Sequence, residues 1–154
     1  MTTPMTEDDF PLIGSAPNPS EHRAALILHR DAEGRLLMQL RDDREGVNHR
    51  GTWGLFGGMV EPGEDIFEAA AREFEEESGV TVPEGALHPF GWTQSTVALR
   101  TRVFCFDLRM ALAPVDIRLD EGAGFAFLTA AQVRDVPVAT MLRPIVDAFL
   151  AAPR

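Results

Sequence analysis

The stretch from Gly58 to Val80, GMVEPGEDIFEAAAREFEEESGV, constrains this chain most, because it sets a glycine turn ahead of a helix crowded with carboxylates. Pro62-Gly63-Glu64 reads as the turn, Asp65 as an N-cap with Glu68 three residues on, and Ile66 as the first helical residue. Gly79 falls where a left-handed closing residue is wanted. Phe67, Ala70, Ala71, Phe74 and Ser78 recur at helical spacing and predict a buried stripe. Glu73, Glu76 and Glu77 stand three and four apart and share a different face.

As bare structure that acidic face is unfavourable. Like charges three or four apart cost about 0.2 to 0.5 kcal/mol each, and glutamates in the last turn oppose the helix dipole by about 0.3 to 1 kcal/mol per exposed charge. Arg72 offsets part of this by reaching Glu68 and Glu76 at i±4 spacing, and the chain has no lysine to help. Hard carboxylate oxygens on one rigid face suit Mg²⁺ or Mn²⁺, which keep waters and bridge to substrate phosphates. A solvated acidic face is the alternative, but it needs neither the Gly57-Gly58 approach nor a fixed distance from Glu64 to Arg72. The alternating loop ligands of an EF-hand are absent.

With 154 residues, 45% of them apolar, the chain is long enough to bury its own core as one domain. A net charge of −10 argues against nucleic-acid backbone or anionic membrane as the main partner. The single cysteine, Cys105, excludes an internal disulfide, and its neighbours Val103, Phe104 and Phe106 mark it as a strand residue rather than a nucleophile. No signal peptide or membrane span is visible, so a reducing cytoplasm is expected. Residues 1–20 carry four prolines and read as an extended arm, either disordered or packed on a partner subunit.

Ala24 to His29 and Leu36 to Leu40 are apolar runs around a turn at Asp31-Ala-Glu-Gly34 and predict a hairpin. Arg41 to Thr52 is a long polar loop, the kind of segment that carries binding function. Beyond the acidic helix, Leu87 to Thr96 and Thr101 to Met110 read as strands around a bend at Val97 to Arg100, and Gly124 to Leu128 as a short one. Thr129 caps a short helix, and Thr140 to Ala152 forms an amphipathic one with Pro144 in its tolerant first turn. These elements predict an α/β fold, a mixed sheet flanked by helices.

The spacing Gly58, five residues, Glu64, seven residues, Arg72-Glu73-Phe74-Glu75-Glu76-Glu77-Ser78-Gly79-Val80 resembles the Nudix box at every fixed position, with Phe74 where an aliphatic residue is usual. The resemblance implies the α/β/α sandwich of that family over residues 21–151. It also implies metal-dependent hydrolysis of a nucleoside diphosphate linked to another group. By the same resemblance Glu73, Glu76 and Glu77 are the expected metal ligands and catalytic glutamates, joined by a backbone carbonyl at Gly58 or its neighbour Gly57. Arg72 is assigned to orienting the glutamates and Glu64 to holding the loop. Relatives often carry an acidic residue three positions before the aromatic that here is Phe127, but this chain has Gly124 there. Asp120 and Glu121 lie slightly earlier and either swing into the site, with Glu121 as general base, or form a solvated turn. A homodimer is expected from family habit and from the arm.

Substrate contacts must come from outside the box. Arg41, Arg44 and Arg50 lie on the polar loop and suit bidentate phosphate contacts, or serve solubility alone. Trp53 either stacks a nucleobase or packs in the core. The four histidines show no metal-ligand spacing. Family signatures for ADP-ribose, dinucleoside polyphosphates and NADH are absent: Ser95 stands near the first marker position, there is no tyrosine for the second, and the third motif is missing. A nucleoside triphosphate, often a modified one, is therefore the preferred expectation, ahead of a nucleotide sugar. Two rival readings are an isoprenyl diphosphate isomerase, which requires a suitably placed cysteine and glutamate, and a non-catalytic ligand sensor.

Overall fold

The computed structural model describes residues 5–95, 99–120 and 122–153. Its strands fall into two sheets. The first has the order β4-β1-β6-β5, built from β4 (Gly57–Met59), β1 (Arg23–Leu28), β6 (Arg102–Leu108) and β5 (Leu87–Gln94). It is mixed, since β1 runs parallel to β6 and antiparallel to β4. The second, antiparallel, has the order β3-β2-β7, from β3 (Trp53–Gly54), β2 (Leu36–Leu40) and β7 (Gly124–Leu128).

Side chains alternate across a strand, and here both faces are apolar. On β1, Ala25 and Ile27 join one buried cluster while Ala24 and Leu28 join another; on β6, Phe104 and Phe106 separate from Val103 and Cys105 in the same way. Each face must therefore be covered. Ile66, Ala69, Ala70 and Phe74 of α1 (Ile66–Ser78) cover the first, and Ile145, Val146 and Phe149 of α3 (Arg143–Ala151) the second. The result is an α/β/α sandwich, with the short α2 (Ala130–Asp135) following β7 under a Thr129 cap.

Local signals in the sequence set the ends of α1. The Asp65 carboxylate accepts the Glu68 N–H at 2.8 Å, and Gly79 closes the helix at φ 74°. Ala70, Phe74 and Ser78 of the expected stripe are buried and are joined by Ile66 and Ala69, while Phe67 and Ala71 are only partly buried. Glu77 is also on the buried side of the helix.

The predicted hairpin exists only at its root. Asp31 N–H donates to the Arg35 carbonyl and Leu37 N–H to the His29 carbonyl, after which the strands part into different sheets. A strand has two edges, and β4 and β6 occupy both edges of β1, so none is left for β2. Of the predicted bend after β5, Val97 and Ala98 lie outside the described residues, as does Thr96.

The arm is laid on its own domain. Thr6 caps a 3-10 turn at Glu7–Asp9 and Phe10 is buried. Ile13 N–H donates to the Trp92 carbonyl and Trp92 N–H to the Pro11 carbonyl, both at 2.9 Å, which closes part of the free edge of β5. Glu7 holds Arg23 at 2.8 Å and Arg102 at 3.3 Å. Phe10 is thus committed at home, while Met5 and Leu12 of the arm stay exposed. Among the described residues no helix is long and apolar enough to cross a membrane.

Candidate active site

The site is organised around Arg72. Its Nε and Nη2 donate to the two carboxylate oxygens of Glu64 at 2.7 and 2.9 Å, and Nη2 also reaches the Met59 carbonyl at 3.2 Å. Nη1 donates to Glu73 at 3.0 Å and to Glu76 at 3.3 Å. Arg72 thus turns to Glu64, across the preceding loop, rather than to Glu68 one helical turn back. Hydrogen bonding to Arg72 pulls the Glu64 carboxyl down to about 2, against burial that would raise it, and the same pairing pushes the guanidinium up.

The three box glutamates do not stand alike. Glu77 is buried, with Oε1 accepting the Gly57 N–H at 2.7 Å. Glu73 is half-buried against Gly58, and Glu76 is exposed. The glycines make this approach possible. A Cβ on Gly58 would stand 2.6 Å from the Glu73 carboxylate, and one on Gly57, at φ 140°, would meet the Ala25 carbonyl and lie 2.7 Å from the Leu26 Cα. The β1–β4 register also fixes the carbonyls. Val60 N–H donates to Arg23 and Ile27 N–H to Phe56, so by alternation Gly58 turns its polar groups to Ala25, and the Gly57 N–H points off the ladder toward Glu77. The Gly58 carbonyl is therefore engaged within the sheet.

Two cavities meet at Gly57 and Gly58. One, of about 450 Å³, is polar and lined by Glu73, Glu77, Gln39, Arg41, Asp42 and Arg44 among others. The other, of about 330 Å³, is largely apolar, with walls from Leu26, Leu55, Met59, Met141 and Leu142. Both include Arg41 and Asn48. Arg41 Nε donates to the Asn48 carbonyl at 2.6 Å, and its N–H donates to the Thr52 carbonyl at 2.9 Å, which ties the two ends of the polar loop.

The remaining predicted contacts divide. Arg41 and Arg44 reach the polar cavity, Arg44 from an exposed position beside Asp42 at 3.6 Å. Arg50 pairs with Asp43 at 3.6 Å and lines neither cavity, because its part of the loop faces solvent. Trp53 also lines neither: β3 pins its backbone between Leu40 and Pro137, and the side chain packs against the α3-side core. Glu121 lies outside the described residues. Its neighbours are placed: Asp120 N–H donates to the Glu77 carbonyl at 3.1 Å, and Gly122 lines the polar cavity. Gln39, Asn48 and His49 are site residues that neither periodicity nor motif singles out, since the walls come from segments far apart in sequence.

The donor set suits a hard divalent cation that keeps its waters. Glu73 and Glu77 offer carboxylate oxygens on one polar cavity, and such an ion takes one or two carboxylates together with substrate phosphates. Among the described residues no three acidic, histidine or cysteine groups close into a cage.

A family model described as NUDIX domain matches residues 20–149, and the chain belongs to that family. The MutT protein from Methanosarcina mazei Go1 shares its fold, with a TM-score of 0.71 over 92% of this chain and 94% of that one at 24% identity. The nucleoside triphosphatase NudI of Escherichia coli is 45% identical over 69 residues, 45% of each chain. An isopentenyl-diphosphate Delta-isomerase from Clavibacter sepedonicus is 29% identical over 141 residues, 84% of this chain and 74% of that protein. The chain spans less than half the length of most of the curated relatives it matches.

Proposed function

We propose that the chain is a divalent-metal-dependent pyrophosphohydrolase that splits a nucleoside triphosphate, plain or modified, into the monophosphate and pyrophosphate. The observation that carries this is the junction of the two cavities at Gly57-Gly58, an apolar one sized for a base beside a polar one lined by Glu73, Glu77, Arg41 and Arg44. The name of NudI as a nucleoside triphosphatase supports the same substrate class.

In this reading Glu73 and Glu77, with Glu76 at the rim, hold Mg²⁺ or Mn²⁺, and the backbone donor is the Gly57 carbonyl rather than that of Gly58. When bound, the ion offsets polyphosphate charge and acidifies a water. Water adds to one phosphorus of the α–β anhydride and the bridging oxygen leaves on the other. Arg72 keeps Glu73 and Glu76 oriented, the Gly57 N–H keeps Glu77 oriented, and Arg41 and Arg44 bind phosphate oxygens. Glu121 is the proposed proton acceptor from the water, on the strength of its neighbours' position beside Glu77 and the polar cavity. A cytoplasmic setting goes with a nucleotide substrate and an unpaired cysteine. The isomerase reading lacks its cysteine: Cys105 is fully buried between the helices, and burial pushes its thiol up.

The test incubates the protein with Mg²⁺ and a panel of triphosphates, nucleotide sugars and dinucleoside polyphosphates beside Glu77→Gln. The glutamine keeps an acceptor for the Gly57 N–H, so the fold is expected to survive while turnover falls on the order of 10²–10³-fold. Equal activity in the variant, or cleavage confined to nucleotide sugars, would defeat the proposal.

A further inference from the structure

The Arg72 network has a support outside the box. Arg23 opens β1 and Arg102 opens β6, and the two are register partners on adjacent strands, so like charges stand side by side. Glu7 of the arm answers both, its carboxylate accepting from Arg23 Nη1 at 2.8 Å and from Arg102 Nη1 at 3.3 Å. Arg23 then turns its other nitrogen away from the arm: Nη2 donates to the Glu64 carbonyl at 3.2 Å. Charge balance alone does not call for that second bond. It completes a staple, because the Val60 N–H donates to the Arg23 carbonyl at 2.9 Å, and one residue thus holds both ends of the loop between β4 and α1.

We propose that Arg23 is a positioning residue for the metal site: held by Glu7 of the arm, it clamps this loop so that Arg72 presents Glu73 and Glu76 to the ion. The inference rests on the metal-dependent reading and adds to it a dependence on the N-terminal arm. The Glu64 carboxylate takes both Nε and Nη2 of Arg72, and Nη1 of the same group holds Glu73 and Glu76. A guanidinium is a rigid plane, so fixing the edge that faces Glu64 also fixes the nitrogen that faces the other two glutamates. Losing a group that orients a metal ligand typically costs about 10–100-fold in metal affinity. Arg23 acts one bond further out, through the Glu64 backbone, and a loss of about three- to tenfold is expected.

Mn²⁺ binding to the full chain, followed by electron paramagnetic resonance of the free ion, would compare wild type with Arg23→Ala, Arg23→Lys, Glu7→Gln and Arg30→Ala. Arg30 is the control for stability: it donates to the Ala152 carbonyl at 2.9 Å, lies over the Phe149 ring at 4.6 Å and lines neither cavity. In Arg23→Ala the Kd for Mn²⁺ is expected to rise about three- to tenfold, and the Mg²⁺ concentration for half-maximal turnover by the same factor, with KM for the triphosphate within about twofold. Lysine keeps the charge but lacks the fork that serves Glu7 and Glu64 together, so Arg23→Lys should fall between, with a rise of at least about twofold. Glu7→Gln should move the Kd the same way by less. Arg30→Ala should melt lower and bind Mn²⁺ as wild type does. An unchanged Kd in Arg23→Ala overturns the inference whatever its melting temperature, and so does an equal rise in Arg30→Ala, which would assign the effect to stability. Should Arg23→Ala not fold, Arg23→Lys decides by the same criterion. A rise in Arg23→Ala with none in Glu7→Gln overturns the arm's share. A wild type that takes up no Mn²⁺ removes the metal reading first, and the positioning role with it.

Discussion

Arg72 grips both oxygens of Glu64, and the pair is sheltered enough for its charge state to matter to stability. The Glu64 carboxyl drops from 4.5 to about 2 on folding. Because the folded value lies below the unfolded one, the stabilisation is complete above about 4.5 and disappears as pH falls toward 2. Melting temperatures of wild type and Glu64→Gln, followed by calorimetry from pH 6 to pH 2.5, are expected to differ most at the upper end and to converge at the lower. A gap of constant width would refute the assignment. This pair also marks where residue-level reading stops. The box spacing identifies Arg72 and its glutamates, but i±4 arithmetic points to Glu68, because it knows the helix and not the loop that folds back against it. Glu77 is hidden for a similar reason: a glutamate in a helix reads as surface until the Gly57 N–H that receives it is known. His49 leaves no trace at all, since a single polar residue in a polar loop has no periodicity to break.

Between residues and the whole stand the elements, where Gly57 and Gly58 divide two kinds of constraint. At Gly57 an added Cβ meets backbone of β1 and the φ of 140° strains any side chain. Backbone strain and overpacking each cost about 1–3 kcal/mol, and in a domain of this size 1 kcal/mol is about 2–4 °C. Gly57→Ala should therefore melt roughly 4–24 °C lower. At Gly58 the obstacle is the Glu73 carboxylate, the free end of a side chain that can swing aside. Gly58→Ala should keep most of the melting temperature but lose activity, because Glu73 leaves the polar cavity. Thermal melts beside Mg²⁺-dependent turnover separate the two, and matching losses in both variants would count against this division. Elements are also what the sequence shows best. The Asp65 cap, the Gly79 stop and the apolar runs of β1, β2 and β6 are local signals. Pairing is not local: two adjacent apolar runs suggest a hairpin, and only the occupation of both edges of β1 by β4 and β6 forbids it.

Across the whole molecule, the arm lies beside β5 and the candidate site at β4, the two edges of the mixed sheet, and Glu7 links them: it holds Arg23, whose Nη2 donates to the Glu64 carbonyl at 3.2 Å. Phe10 is 3% exposed and meets the rings of Phe106 and Phe104 edge-on at 5.0 and 5.4 Å. The arm gives no sign of this in sequence, because one aromatic among prolines and acidic residues makes no pattern. Truncating a buried phenylalanine costs about 3–5 kcal/mol, so Phe10→Ala should lower the melting temperature by roughly 6–20 °C. Glu7→Ala loses only partly exposed ion pairs to Arg23 and Arg102, each worth about 1 kcal/mol or less, and should shift it far less. Phe10 lines neither cavity, so kcat of Phe10→Ala measured well below the melting transition should stay within about twofold of wild type. If Phe10→Ala instead lost turnover at a temperature where it is still folded, the arm would have to be coupled to the site, and the shortest route is Phe67 of α1, whose ring meets that of Phe10 edge-on at 6.2 Å.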